Sequence, residues 1–173
     1  MDRSFLALTI CVGIFTLVAM IWDIRSRRIP NWLNVTGLVV AFGFHAIFNG
    51  FEGLLPALAG FAVGFGILFV LWLIGGGGAG DVKLAAALGA WLGAPLMFIT
   101  FVLSAILALV VSLAAILYRA VMQTPANASA GGASKGSNVK GALQAGRQIP
   151  YAVPLTLATW IVLIVKSLTS WSP

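Results

Sequence analysis

Acidic residues are nearly missing from this chain: there are four in 173 positions, Asp2, Asp23, Glu52 and Asp81. Charge of either sign is scarce, at 8% of residues, where a soluble domain carries about 25%. Too few polar side chains are present to cover a water-facing surface. There is one cysteine, Cys11, and one histidine, His45. A single cysteine excludes an internal disulfide and a cysteine-rich zinc site. The sequence also lacks a Gly-x-Ser-x-Gly nucleophile elbow and a His-Glu-x-x-His metal motif.

What the chain has instead is apolar length. Hydrophobic residues make up 61% of it and the mean hydropathy is +1.07. The bilayer is the solvent in which such a composition is stable. The reading is an all-α, polytopic membrane helix bundle, residues 1–173 forming one membrane-embedded domain with about six spans. These run from about Ser4 to Trp22, Trp32 to Phe48, Leu54 to Ile74, Val82 to Leu92, Leu96 to Tyr118 and Ile149 to Leu168. The fourth is short and follows a glycine-rich, unwound segment. Asn49, Gly50, Glu52 and Gly53 predict one turn, and Gly93-Ala94-Pro95 another. The first apolar run is longer than a signal-peptide core and has no clear cleavage site, so it is expected to be retained. Residues 119–148 are rich in Ala, Gly and Ser and lack periodicity, which predicts a flexible cytoplasmic loop.

The net charge of +6 does not describe a nucleic-acid binder, because the basic residues form no face. They sit between apolar runs. With the segment after the first span placed in the cytoplasm, Arg25, Arg27, Arg28, Lys83, Arg119, Lys135, Lys140 and Arg147 share that side. Only Arg3 and Lys166 fall opposite. The positive-inside rule then sets the N-terminus outside. Asp23 and Asp81 both fall at the cytoplasmic end. Trp22, Trp32, Trp72, Trp91, Trp160 and Trp171 read as interfacial anchors. Gly60-x-x-x-Gly64 and Gly89-x-x-x-Gly93 read as helix-packing signals, and His45 as a packed polar side chain.

Asp2 and Glu52 occupy ordinary solvated positions. Asp23 and Asp81 each stand where an apolar helix meets a polar segment. A carboxylate at such a boundary is costly unless it has partners or water, which marks it as functional by default. Gly75 to Gly80 holds five glycines in six positions. Unwound backbone is tolerated at membrane depth only beside protein or a wet cavity, and glycine admits another backbone closely. Hydrolysis of an extended peptide needs both conditions. Two carboxylates suffice for it: one takes a proton from water and the other donates one, the pair titrating together. No metal or cofactor is required.

The segments Asp23-Ile-Arg-Ser-Arg-Arg-Ile-Pro-Asn31 and Gly78-Ala79-Gly80-Asp81-Val82-Lys83-Leu84, with Ile149-Pro150-Tyr151-Ala152-Val153-Pro154, resemble the type IV prepilin peptidases, GxGD-type aspartyl proteases. The resemblance implies that Asp23 and Asp81 are the catalytic pair. Gly78, Gly80, Lys83, Arg28, Pro30 and Asn31 are expected to support them. It further implies removal of a prepilin or pseudopilin leader at the cytoplasmic face of a bacterial inner membrane. The larger family members carry a four-cysteine zinc site and methylate the new N-terminus. This chain departs from that pattern, so neither methylation nor S-adenosylmethionine is expected. The short form is similar to the peptidases of tight-adherence (Flp) pili, with archaeal preflagellin peptidases as the nearest alternative.

Plainer readings stand beside these. Asp23 would serve as a helix-end partner of Arg25 or Arg27, and Asp81 as a helix N-cap. Lys83 would snorkel, and Pro30 and Asn31 would start the second helix. A small proton-coupled carrier would use the same two acids as a relay, although no duplicated half is visible. A pilus-assembly scaffold would need neither.

Overall fold

A computed structural model describes residues 3–26, 29–75, 78–122 and 151–169. They form four helices: α1 (Arg3–Ser26), α2 (Asn31–Leu73), α3 (Ala79–Met122) and α4 (Ala152–Thr169). There is no strand among the described residues. Each of the four is long and apolar enough to cross a membrane, and the chain is an all-helical bundle of that kind. The helix continues to Met122, so the first residues of the expected 119–148 loop belong to α3. Residues 123–148 lie outside the described residues.

Six separate spans are not established; α2 and α3 are each one long helix with a break inside. At 1.5 Å per residue, a straight α2 of 43 residues would be about 65 Å long, twice the hydrocarbon thickness. Gly50 (φ 60, ψ −151) interrupts it. Its fold-back follows from its contacts: His45 before the break reaches the carbonyl of Trp91, and Gly60 after it abuts Gly89. Residues 15 apart in α2 therefore meet residues two apart in α3. Gly93 (φ 75, ψ 166) breaks α3 in the same way, since Gly64 lies against both Ala85 and Met97. Both backbone conformations are nearly confined to glycine. Both turns fall where the sequence placed them.

The short half of α3 is the centre of the bundle. Val82 and every residue from Leu84 to Gly93 are buried. Small side chains make this possible. Gly60 and Gly89 meet backbone to backbone, and Gly64 lies on the Ala85 carbonyl, the close approach expected of small residues between membrane helices. Trp91 lies in this core at 2% exposure and packs against Phe44. It is not an interfacial anchor, because the helix that carries it is enclosed on all sides. Trp171 lies outside the described residues.

Helix α4 runs antiparallel to α1. Near one end Ala152 meets Asp23; further along Trp160 donates to the Thr16 hydroxyl; at the other end Lys166 lies over the Phe5 ring.

Candidate active site

The site gathers at the end of the bundle where α1 finishes and α2 and α3 begin. Asp23 sits in the last turn of α1 and is 6% exposed. A buried carboxylate needs hydrogen-bond donors. One is the backbone N–H of Ala152, which donates to Oδ2 at 3.1 Å. This is a free amide of the first turn of α4, where the helix dipole also favours negative charge.

Asp81 is in the first turn of α3 and half-buried. The Gly78 N–H donates to its Oδ2 at 3.1 Å, while the Asp81 N–H donates to the Gly78 carbonyl at 3.0 Å. Asp81 thus reaches back to cap the helix start from within the first turn, as the acid of a capping box does. It is not itself the N-cap residue.

The two carboxylates lie at the same end of the bundle, where Ile29 lies against Gly80 and Lys83 donates to Asn31. Tyr151 lies one residue before the amide that binds Asp23, and its hydroxyl shares a 3.2 Å hydrogen bond with Ser104. Burial pushes the phenol above its ordinary value; the Ser104 bond opposes that and Asp81 adds to it. The entry to α4 is therefore seated on Asp23.

The supporting residues divide. Lys83 is exposed and its ammonium donates to Oδ1 of Asn31 at 2.8 Å, which ties the start of α3 to the start of α2. Pro30 occupies the N-cap position of α2, with extended backbone (φ −67, ψ 140), one residue earlier than a first-turn proline. Ile29 lies against Gly80. Gly78 holds Asp81 through its amide. Arg27 and Arg28 lie outside the described residues. Among the described residues, no three His, Cys, Asp or Glu side chains converge as metal ligands would. His45 and Asn49 share a hydrogen bond beside the α2 break, at the far end of the bundle. Reading the residues one by one missed Ser104 as a partner of Tyr151; a lone serine in an apolar span gave no signal for it.

The class is thus a multi-pass membrane protein with two acids at one end of a glycine-packed bundle. Residues 10–113 match the model of the type IV leader peptidase family, and the chain belongs to that family. The match takes in both Asp23 and Asp81. No curated protein and no solved structure matches the chain. Membership makes it a leader-peptidase-like protease of the membrane.

Proposed function

We propose that the protein is an aspartyl endopeptidase that removes the leader from type IV prepilins of the Flp (tight-adherence) kind, at the cytoplasmic face of the bacterial inner membrane. Asp23 and Asp81 carry the reaction. One carboxylate accepts a proton from water as the water oxygen bonds to the scissile carbonyl carbon. The other, protonated, gives its proton as the C–N bond breaks, and the pair returns to its singly protonated state. Two acids close together favour such sharing of one proton.

One observation carries this reading. Asp23 and Asp81, remote in sequence and on different helices, are brought to one end of the bundle, where Ile29 lies against Gly80 and Lys83 donates a hydrogen bond to Asn31. The Ala152 and Gly78 amides support it by holding one oxygen of each carboxylate, leaving the other oxygens for water and peptide. Lys83 and Asn31 fit as a clasp that keeps the starts of α2 and α3 together.

The test mixes detergent-solubilised protein with a prepilin and follows loss of the leader on a gel. The expected result is cleavage by the wild type and none by Asp23→Asn or Asp81→Asn. Cleavage that survives either substitution removes the dyad. Absence of cleavage together with pH-dependent ion flux in vesicles favours the carrier.

A further inference from the structure

Asn34 is 4% exposed, and both Oδ1 and Nδ2 of its side chain are buried without a hydrogen-bond partner. A buried amide left unpaired costs on the order of 1–3 kcal/mol for each group, so it stands out in a bundle this apolar. Two other buried groups share that condition, Trp91 Nε1 and Thr100 Oγ1. Those flank the Gly93 turn. Asn34 alone offers a donor and an acceptor on separate atoms, and it belongs to the other end of the molecule.

Its direction follows from its neighbours. Asn31 points to α3, where Lys83 binds it. Gly37 points to α1, where it meets the Phe15 ring. At about 100° per residue, Asn34 is turned by about 60° from each of them. It therefore points between α1 and α3, the two helices that carry the acids.

Its depth follows from the same contacts. Ile29 beside Gly80 and Asn31 beside Lys83 set α2 level with α3. Counted on from those contacts Asn34 falls level with Ala85, and counted back from His45 at the Trp91 carbonyl it falls level with Gly80, so it lies within about one helical turn of Asp81. The antiparallel contact of Gly37 with Phe15 puts it level with Val18, next to Ala19 and a little over one turn inward from Asp23. Ala19 and Ala85 are both fully buried. Asn34 is thus a buried, unpartnered amide between α1 and α3, toward the end of the bundle that carries both aspartates.

We infer that Asn34 positions the attacking water, its carboxamide oxygen accepting one O–H and its N–H₂ donating to the water oxygen. An amide performs the task without adding a charge that would upset a shared proton. Asn34 is a positioning residue, since the bond changes remain with the two acids. The inference rests on the peptidase reading.

The test compares wild type, Asn34→Leu and Asn34→Ala in the prepilin cleavage assay, with thermal melting in the same detergent. Leucine matches the shape of asparagine and removes the unpaired groups, so its melting temperature is expected at or above that of the wild type. For both variants kcat is expected to fall by roughly 10- to 100-fold, the scale of a misplaced reactant, with KM within about twofold. Wild-type kcat in either folded variant overturns the inference. So does a raised KM at unchanged kcat, which marks a contact to the peptide, and so does a loss of kcat that only follows the folded fraction. Should Asn34→Leu fail to fold, Asn34→Ala decides by the same criteria. A wild type that does not cleave sinks the peptidase reading itself; active wild type with unaffected variants sinks only the role of Asn34.

Discussion

The backbone amide of Ala152 donates a 3.1 Å hydrogen bond to Oδ2 of Asp23, 129 positions away in the chain. The last helix therefore seats the first acid. That bond predicts different stabilities for two inactive variants. Asp23→Asn keeps an acceptor oxygen, whereas Asp23→Ala leaves the Ala152 N–H buried and unpaired, at a cost of about 1–3 kcal/mol. Thermal melting is expected to place Asp23→Ala below Asp23→Asn. Equal melting temperatures would mean that the bond does not hold the helices.

Glycine contacts make a second expectation. A methyl group on Gly60 meets the Gly89 carbonyl and the Gly93 backbone, while one on Gly66 meets nothing. Forcing bulk into a packed contact costs about 1–3 kcal/mol. Gly60→Ala is expected to lower the melting temperature clearly. Gly66→Ala is expected to leave it unchanged or raise it slightly, because alanine favours a helix by about 1 kcal/mol over glycine. The reverse order would refute the packing described for α2 on α3.

The glycines beside Asp81 behave differently from each other. A Cβ on Gly78 would sit 3.1 Å from the Asp81 carboxylate, whereas one on Gly80 makes only ordinary contact with Ile29 at 3.9 Å. Gly78→Ala is expected to reduce kcat by displacing Asp81, with about tenfold loss for roughly 1.4 kcal/mol of disturbance. Gly80→Ala is expected to melt like the wild type. If its cleavage falls through KM alone, peptide backbone passes over Gly80. If its melting temperature drops sharply, the space described around Gly80 is wrong.

Alkaline pH tests the setting of Tyr151. Burial, together with the charge of Asp81, raises its phenol above the ordinary value of 10.0, against the pull of Ser104. Above about pH 10 the unfolded chain loses this proton while the folded one keeps it, so the folded state binds more protons and stability falls as pH rises. Tyr151→Phe is expected to flatten that part of the decline in melting temperature. Identical pH profiles would show that the phenol is not buried in this way.

Much of the site was legible because lipid leaves few places for charge. Asp23 and Asp81 stood out at helix boundaries, and Gly50 and Gly93-Ala94-Pro95 announced the two reversals. The partner each helix face would choose was not legible. Soluble helices advertise their inner side by polarity, but here every side is apolar, so Trp91 looked like an anchor and is core. The Ala152 bond to Asp23 and the setting of Asn34 depend on helix register, which small residues permit without specifying. Gly50 and Gly93 each divide one helix into two arms that fold back on each other.

The two acids ride on unequal foundations. Asp81 belongs to α3, which packs extensively on α2 through glycine-to-glycine contact. Asp23 belongs to α1, whose principal neighbour is α4 rather than α2 or α3, through Thr16, Thr156 and Trp160. A harsh detergent that loosens this seam would part the carboxylates while the α2–α3 unit stays folded. Catalysis would then disappear from preparations whose circular dichroism still looks native, so helical content is a poor certificate of an active sample.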